Sequence, residues 1–368
     1  MNYLIYGAGH FGECFYRILV KQKLQVNGWI DQRLVSQMKY NLPIFDEHTA
    51  DRNMTVIVAV TPLVNSNRGQ IKEHLQELGY NNVLGFFEAA REFPEVFKEY
   101  AQLEHLWMRT SHHDMLNLPS IKWLRARLGD DKSKNILDKL CAFRASLSID
   151  DYPEPDRKIE YFPDDIPFNF QSPIRFIDCG AYTGDTVEAF VELHKKNIIT
   201  LEHISSFEPD TNNYQTLTNT QNRLKKNNPE ISFQAFPSGV WKCVDLLNFN
   251  QGQTSSSNII QSEVINDSSV SVVDLDSTCQ AMDINYIKMD IEGAELAALE
   301  GAKSLIQTQQ PVLAICVYHK PKDLWELPQF IDQLQPNYDM YLRVHEHLGL
   351  STVCIVFQKV LINEKSTY

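Results

Sequence analysis

The chain has 368 residues, 47 acids against 34 bases and a net charge of −13, with 43% hydrophobic and 22% charged residues. That length favours two cores over one, and the negative average field argues against nucleic acid as a partner. No apolar run is long enough to span a bilayer and no apolar signal core opens the chain, so a soluble, cytoplasmic protein is expected.

The first strand, NYLIYG, runs into Gly7-Ala8-Gly9-His10-Phe11-Gly12 and then a helix, FGECFYRILVKQ. This is a G-x-G-x-x-G turn, which lets a backbone approach a pyrophosphate. Strand QVNGWID follows and ends at Asp31, about 20 residues beyond the turn, the interval of a ribose-binding acid. A loop containing NLPIFD, strand MTVIVAVTP, a helix over 67–78 and strand NNVLGFF complete a small parallel α/β domain, 1–90. The pieces LIYGAGHFG, GWID and VIVAVTP resemble the nucleotide-binding domain at the front of sugar acyltransferases. Three readings stay open: a nucleotide or nucleotide-sugar site at Gly7, Gly9, Gly12 and Asp31, a ligand-free docking or scaffold domain, and a catalytic NAD site. The segment is about half a full dinucleotide domain, and no Tyr-x-x-x-Lys follows it.

A helical linker region, 91–165, contains LEHLWMRT and IKWLRARLGDDKSKNILDKLCAF, with apolar residues at helical spacing. It leads into DDYPEPDRKIEYFPDDIPFNFQSP, read as a connector or surface arm whose aromatics pack on a neighbouring domain. The seven cysteines are scattered, with no C-x-x-C, and read as buried reduced thiols rather than a zinc site.

A second α/β alternation begins at Ile174, within a domain placed at 166–368. IRFIDCG leads to helix DTVEAFVELHKK, HISSFEP to NNYQTLTNTQNRLKK, and SFQAFPS to shorter strand-like pieces, DLLNFN, SNIIQ and SVSVVDL. YIKMD leads to helix GAELAALEGAKSLIQ, and PVLAICVY to LWELPQFIDQL. DMYLRVHEHL and STVCIVFQKV close the chain as an antiparallel hairpin. Five parallel strands capped by such a hairpin is the element order of a class I methyltransferase, a seven-stranded sheet. The fold class is therefore α/β with two Rossmann-like domains.

The chemistry-bearing residues lie at successive strand ends. After the first strand come Asp178, Gly180, Ala181, Tyr182, Gly184, Asp185 and Thr186, a second glycine turn opening a helix whose free N–H groups suit a carboxylate. Asp178 can attract the ammonium and sulfonium of S-adenosylmethionine. Tyr182 replaces the middle glycine of the common D-x-G-x-G-x-G pattern. Glu208, followed by Pro209, can accept both ribose hydroxyls. Ser238 and Gly239 fall where the adenine edge belongs, and Trp241 either covers it or is core. Asp290, Glu292 and Glu295 cluster where the methyl group is presented, and Lys288 shares the strand face of Asp290. His319 and Lys320 end the fifth strand, while His345 and His347 are weaker members. The catalytic candidates are Asp290, Glu292, His319 and Lys320, with His319 or Asp290 as base. Asp290 with Glu292 offers a divalent cation two carboxylates, but two acids do not specify one, and no metal is assigned.

The pieces FIDCGAYTGDT, FEPDTNNYQTL, IKMDIEGAELAALEGA, YHKPKDLWELP and YLRVHEH resemble the FkbM-type methyltransferases from about Ile174 onward. The resemblance implies S-adenosylmethionine as donor and a hydroxyl acceptor on a saccharide or a sugar-containing precursor. Many members of that family carry an acid where this chain has CVYHK. The expected partner is thus a small-molecule or glycan acceptor, and a homo-oligomer is compatible with the sequence. The rival readings are a non-catalytic nucleotide-sugar-binding or assembly protein, and an NAD-dependent oxidoreductase.

Overall fold

In the computed structural model the described residues are 2–61, 70–103, 115–156, 160–168, 170–250, 258–260, 269–345 and 353–359. The chain divides into two units. The first comprises Met1–Ile121, Asn135–Arg157 and Val344–Ser351, and the second Lys122–Lys134, Lys158–Arg343 and Thr352–Tyr368. The stretch 91–165 is thus shared between them.

In the first unit, strands β1 (Asn2–Tyr6), β2 (Gln25–Ile30), β3 (Met38–Lys39), β4 (Leu42–Phe45), β5 (Thr55–Val58) and β6 (Asn82–Leu84) form one sheet in the order β3-β4-β2-β1-β5-β6. The buried side chains Leu4, Ile30, Val56, Val58, Leu75 and Tyr80 pack together beneath it. NLPIFD, expected as a loop, supplies β4 instead. It runs parallel to β2 and pairs antiparallel with the two-residue edge strand β3. Pro43, opposite Met38 of the edge strand β3, has no N–H to give that ladder. The helix expected over 67–78 is described at Ile71–Glu77, and its first residues lie outside the described ones. LEHLWMRT also lies outside them beyond Leu103, and IKWLRARLGDDKSKNILDKLCAF forms two helices, Pro119–Arg127 and Asp131–Ser146.

The second unit holds a seven-stranded sheet. Its strands are β7 (Ile174–Cys179), β8 (Leu201–Phe207), β9 (Ser232–Phe236), β14 (Tyr286–Met289), β15 (Val312–Cys316), β16 (Tyr338–Val344) and β17 (Val353–Lys359). Their order is β16-β17-β15-β14-β7-β8-β9. The pairs β7–β8, β8–β9, β14–β7 and β14–β15 are parallel, and β17 runs antiparallel to β15. A smaller sheet is built from β10 (Gly239–Val240), β11 (Asp245–Asn250), β12 (Asn258–Ile260) and β13 (Ser269–Val273). The central strands are buried, charged residues such as Lys288 and Asp178 included; all four residues of β14 are buried. The stretch read as one helix after Asp290 is two, Glu295–Glu300 and Lys303–Gln309, interrupted at Gly301.

Register sets the functional edge. Lys288 on β14 lies opposite Asp178 on β7, and Cys179 lies opposite Phe207 on β8. The residues that leave these three strands, Gly180, Glu208 and Asp290, therefore emerge side by side at the carboxyl ends, where open α/β sheets bind ligands.

Candidate functional site

The turn after β7 is bound to its neighbours by backbone. The amides of Gly180 and Ala181 both donate to the Phe207 carbonyl at 3.0 Å. Gly180 has φ +77°, and a Cβ there would strike the carbonyl oxygen of Asp290, so the two loops touch only because this residue is glycine. Tyr182 follows at φ +45°, a left-handed conformation that costs an L side chain roughly 1–2 kcal/mol. The residue is 45% exposed. Gly184 caps the helix Asp185–Lys195, and Asp185 and Thr186 form its first turn.

Glu208 fastens this turn. Its Oε2 accepts the Tyr182 amide and its Oε1 the Asp210 amide, each at 2.9 Å. A carboxylate oxygen has two lone pairs, so both oxygens keep a site for a ribose hydroxyl. Burial pushes the Glu208 carboxyl up to about 7, against the pull of those two amides. Pro209 is half-buried, and Asp210 caps the next helix through the amides of Asn212 and Asn213.

Asp178 has a different environment from the one its position suggests. It has no exposed surface, and Lys288 Nζ stands 2.9 Å from its Oδ1. The same ammonium donates to the carbonyls of Gly180 (2.6 Å) and Cys179 (3.3 Å). The Asp178 charge is thus countered inside the sheet by Lys288. Burial pushes the Asp178 carboxyl up to about 6 in spite of Lys288. Burial alone would lower the Lys288 ammonium, yet Asp178 and Asp290 raise it, and it stays charged.

Asp290 is the centre of the site. Its Oδ2 accepts the Tyr161 hydroxyl at 2.8 Å, and its Oδ1 accepts the Tyr318 hydroxyl at 3.0 Å. His319 Nε2 stands 3.3 Å from that Oδ1 and 3.7 Å from Glu292 Oε2, while Nδ1 stands 2.9 Å from Glu295 Oε1. Burial would raise the Asp290 carboxyl, but His319, Lys288 and Tyr161 outweigh it and hold it below the carboxylate range. Burial would lower the His319 imidazole, but Glu295 and Asp290 outweigh it and raise it well above its ordinary value. Asp290 is a weak base, able to take a hydroxyl proton only as the oxygen gains its new bond and turns acidic. Burial pushes Glu292 and Glu160 up to about 7 each, with Asp290 adding to both.

Glu295 opens its helix with its side chain 1% exposed, and its Oε1 accepts the Ile291 amide at 2.9 Å. Lys320 is exposed and donates to the Gly293 carbonyl, while its own amide donates to Asp323 Oδ2 at 2.7 Å. Ser238 and Gly239 are buried just past β9, and Trp241 is half-buried with its amide on the Val273 carbonyl. His345 is buried in the first unit, and His347 lies outside the described residues. Two residues escaped the sequence reading. Tyr161 sits in the stretch read as a connector, and Tyr318 precedes the histidine that drew the attention. The signal available was their type: a tyrosine among buried apolar neighbours needs a partner for its hydroxyl.

The turn in the first unit has the same construction. Asp31 Oδ2 accepts the Ala8 amide and Oδ1 the Arg33 amide, both at 3.0 Å. Gly7 is at φ +98°, and a Cβ on Gly12 would strike the Gly7 carbonyl oxygen. A cavity of about 490 Å³ is bordered by Gly7, Gly9, Asp31, Thr61 and Tyr100. Among the described cysteines Cys14, Cys141, Cys179, Cys279 and Cys316 are buried and reduced, and Cys243 is exposed.

Residues 178–341 match the family model of the methyltransferase FkbM domain. No curated protein matches the chain. The crystal structure of a methyltransferase FkbM from Methylobacillus flagellatus KT superposes with a TM-score of 0.66 at 24% identity, over 97% of this chain and 89% of that one. At that identity the likeness is one of fold.

Proposed function

We propose that this chain is an S-adenosylmethionine-dependent O-methyltransferase whose second unit holds the donor across the ends of β7 and β8. The observation that carries the reading is Glu208, buried and fastened by the Tyr182 and Asp210 amides, with acceptor capacity left for two vicinal hydroxyls. The match of residues 178–341 to a methyltransferase domain supports the reaction class. Gly180 to Thr186 would hold the amino-acid end of the donor, and Ser238 and Gly239 would line its base.

S-adenosylmethionine, when bound, supplies an electrophilic methyl group. The chain's own residues position the acceptor and receive its proton. Asp290 accepts the Tyr161 and Tyr318 hydroxyls, with His319 Nε2 3.3 Å away, and an acceptor hydroxyl would be its third donor. Methyl transfer is an in-line displacement, so fixing that oxygen contributes much of the rate. A saccharide or sugar-containing acceptor is proposed from the FkbM resemblance. Calorimetry with S-adenosylmethionine on the intact chain should show binding, and labelled donor should methylate a component of a glycan extract. Folded protein that binds no donor would overturn the reading.

A second reading concerns the first unit. Asp31 holds its turn as Glu208 holds the other, beside a cavity, which favours a ribose-bearing ligand such as a nucleotide or nucleotide sugar. Mass spectrometry of small molecules released from purified protein tests it, and recovery of none would count against it.

A further inference from the structure

We propose that a divalent transition-metal ion binds between His319 Nε2, Asp290 and Glu292, with Glu295 fixing the imidazole from its other side. The binding rests on geometry alone, whereas any use of the ion in activating an acceptor hydroxyl rests on the methyl-transfer reading.

Two carboxylate oxygens converge on one ring nitrogen, Asp290 Oδ1 at 3.3 Å and Glu292 Oε2 at 3.7 Å. A single N–H cannot serve both, and neither carboxylate is in line for a hydrogen bond with it. Metal bonds of about 2.0–2.2 Å at a tetrahedral angle place neighbouring donor atoms about 3.4 Å apart. The two separations measured from Nε2 bracket that value.

The surroundings point the same way. The His319 side chain is only 7% exposed, yet its Nε2 has no aligned hydrogen-bond partner. Glu295 Oε2 is also buried without one. Buried polar atoms left unpaired are costly, and a bound cation is one way native structures settle such a group. Glu295 Oε1, 2.9 Å from Nδ1, occupies the place of the carboxylate that orients a metal-bound histidine. Asp290 would in turn be oriented by the Tyr161 and Tyr318 hydroxyls. Glu292 and Gly293 both have positive φ, +55° and +93°, so the backbone is bent to bring Glu292 toward this corner. One imidazole and two carboxylates suit manganese, iron or zinc rather than magnesium or calcium, which prefer oxygen alone.

The test is titration of the chelator-treated full chain with manganese(II), read by electron paramagnetic resonance, and with zinc(II), read by calorimetry, without donor or acceptor present. One ion per chain is expected, displaced little by magnesium. Glu295→Gln should weaken binding about 10–100-fold as loss of an outer-shell partner. His319→Gln should abolish tight binding, and Asp290→Asn keeps the shape should the histidine variant fold poorly. Full-strength binding in folded His319→Gln and Asp290→Asn, or no binding by the wild-type chain, would overturn the proposal. Because methyl transfer is not measured, either result leaves the donor reading to its own test.

Discussion

Two residues carry the clearest consequences, Tyr182 and Glu208. Tyr182 adopts φ +45° at a position where glycine is free of strain. Replacing it by glycine or by alanine removes the same ring, but only glycine relieves the backbone. The glycine variant should be the more stable of the two by about 1 kcal/mol in urea denaturation, and equal stabilities would refute the strain. Glu208, raised to about 7 by burial, faces Asp210, which adds to the rise, and the Asn213 side chain and two amides, which oppose it. A raised carboxyl contributes stability that is present below its unfolded value and lost as pH rises through about 7. Ribose hydroxyls need the ionised form as acceptor. Donor affinity should therefore fall as pH is lowered through about 7, and Glu208→Gln should bind weakly with no such dependence. Calorimetry on either side of that value decides it.

At the scale of elements, the second unit is clamped at two points. Gly180 lets the β7 loop lie on the β14 loop, and Gly180→Ala adds both a clash with the Asp290 carbonyl and a disfavoured φ. It should lower the thermal midpoint by several degrees, an expected cost above about 1 kcal/mol, and weaken donor binding. The other clamp is Arg343 at the end of β16, almost fully buried, which pairs with Asp130 at 2.7 Å and Asp165 at 3.0 Å and donates to Ser133 Oγ at 2.9 Å. Arg343→Met removes a buried guanidinium from two partly exposed carboxylates, one of which keeps Lys132, and should destabilise the protein by about 1–3 kcal/mol in chemical denaturation. Burial would raise Asp165, but Lys132 and Arg343 override it and hold it down to about 2. Its contribution is present above the unfolded carboxyl value and is lost as pH falls through about 2, so the Arg343 variant should show a shallower loss of stability in acid.

Over the whole molecule, the sequence made the strand ends legible because it punctuates them: glycine turns follow β1 and β7, and acids end or follow β2, β8 and β14. The α/β class followed from the same alternation. What it left illegible depends on register and on distant pairing. Lys288 shares a strand face with Asp290, but its place against Asp178 follows from the pairing of β14 with β7, which periodicity does not specify. Tyr161 reaches Asp290 across 129 positions of chain, and Arg343 reaches Asp130 across 213. NLPIFD reads as a loop because of its proline and becomes a strand because β2 and β3 flank it. One consequence spans both units. Asp31 and Glu208 are built alike, each accepting one amide from a glycine turn and one from two residues further along its own chain. If the second unit alone holds the methyl donor, the two acids must separate under mutation. Asp31→Ala loses two local hydrogen bonds and should cost about 1–3 kcal/mol of stability while leaving S-adenosylmethionine affinity within about twofold. Glu208→Ala should lose a similar amount of stability and at least about tenfold in affinity, the worth of one charge-assisted hydrogen bond. Paired calorimetry on the two folded variants reads the difference directly. An equal loss of affinity in both would mean that the donor is not confined to the ends of β7 and β8.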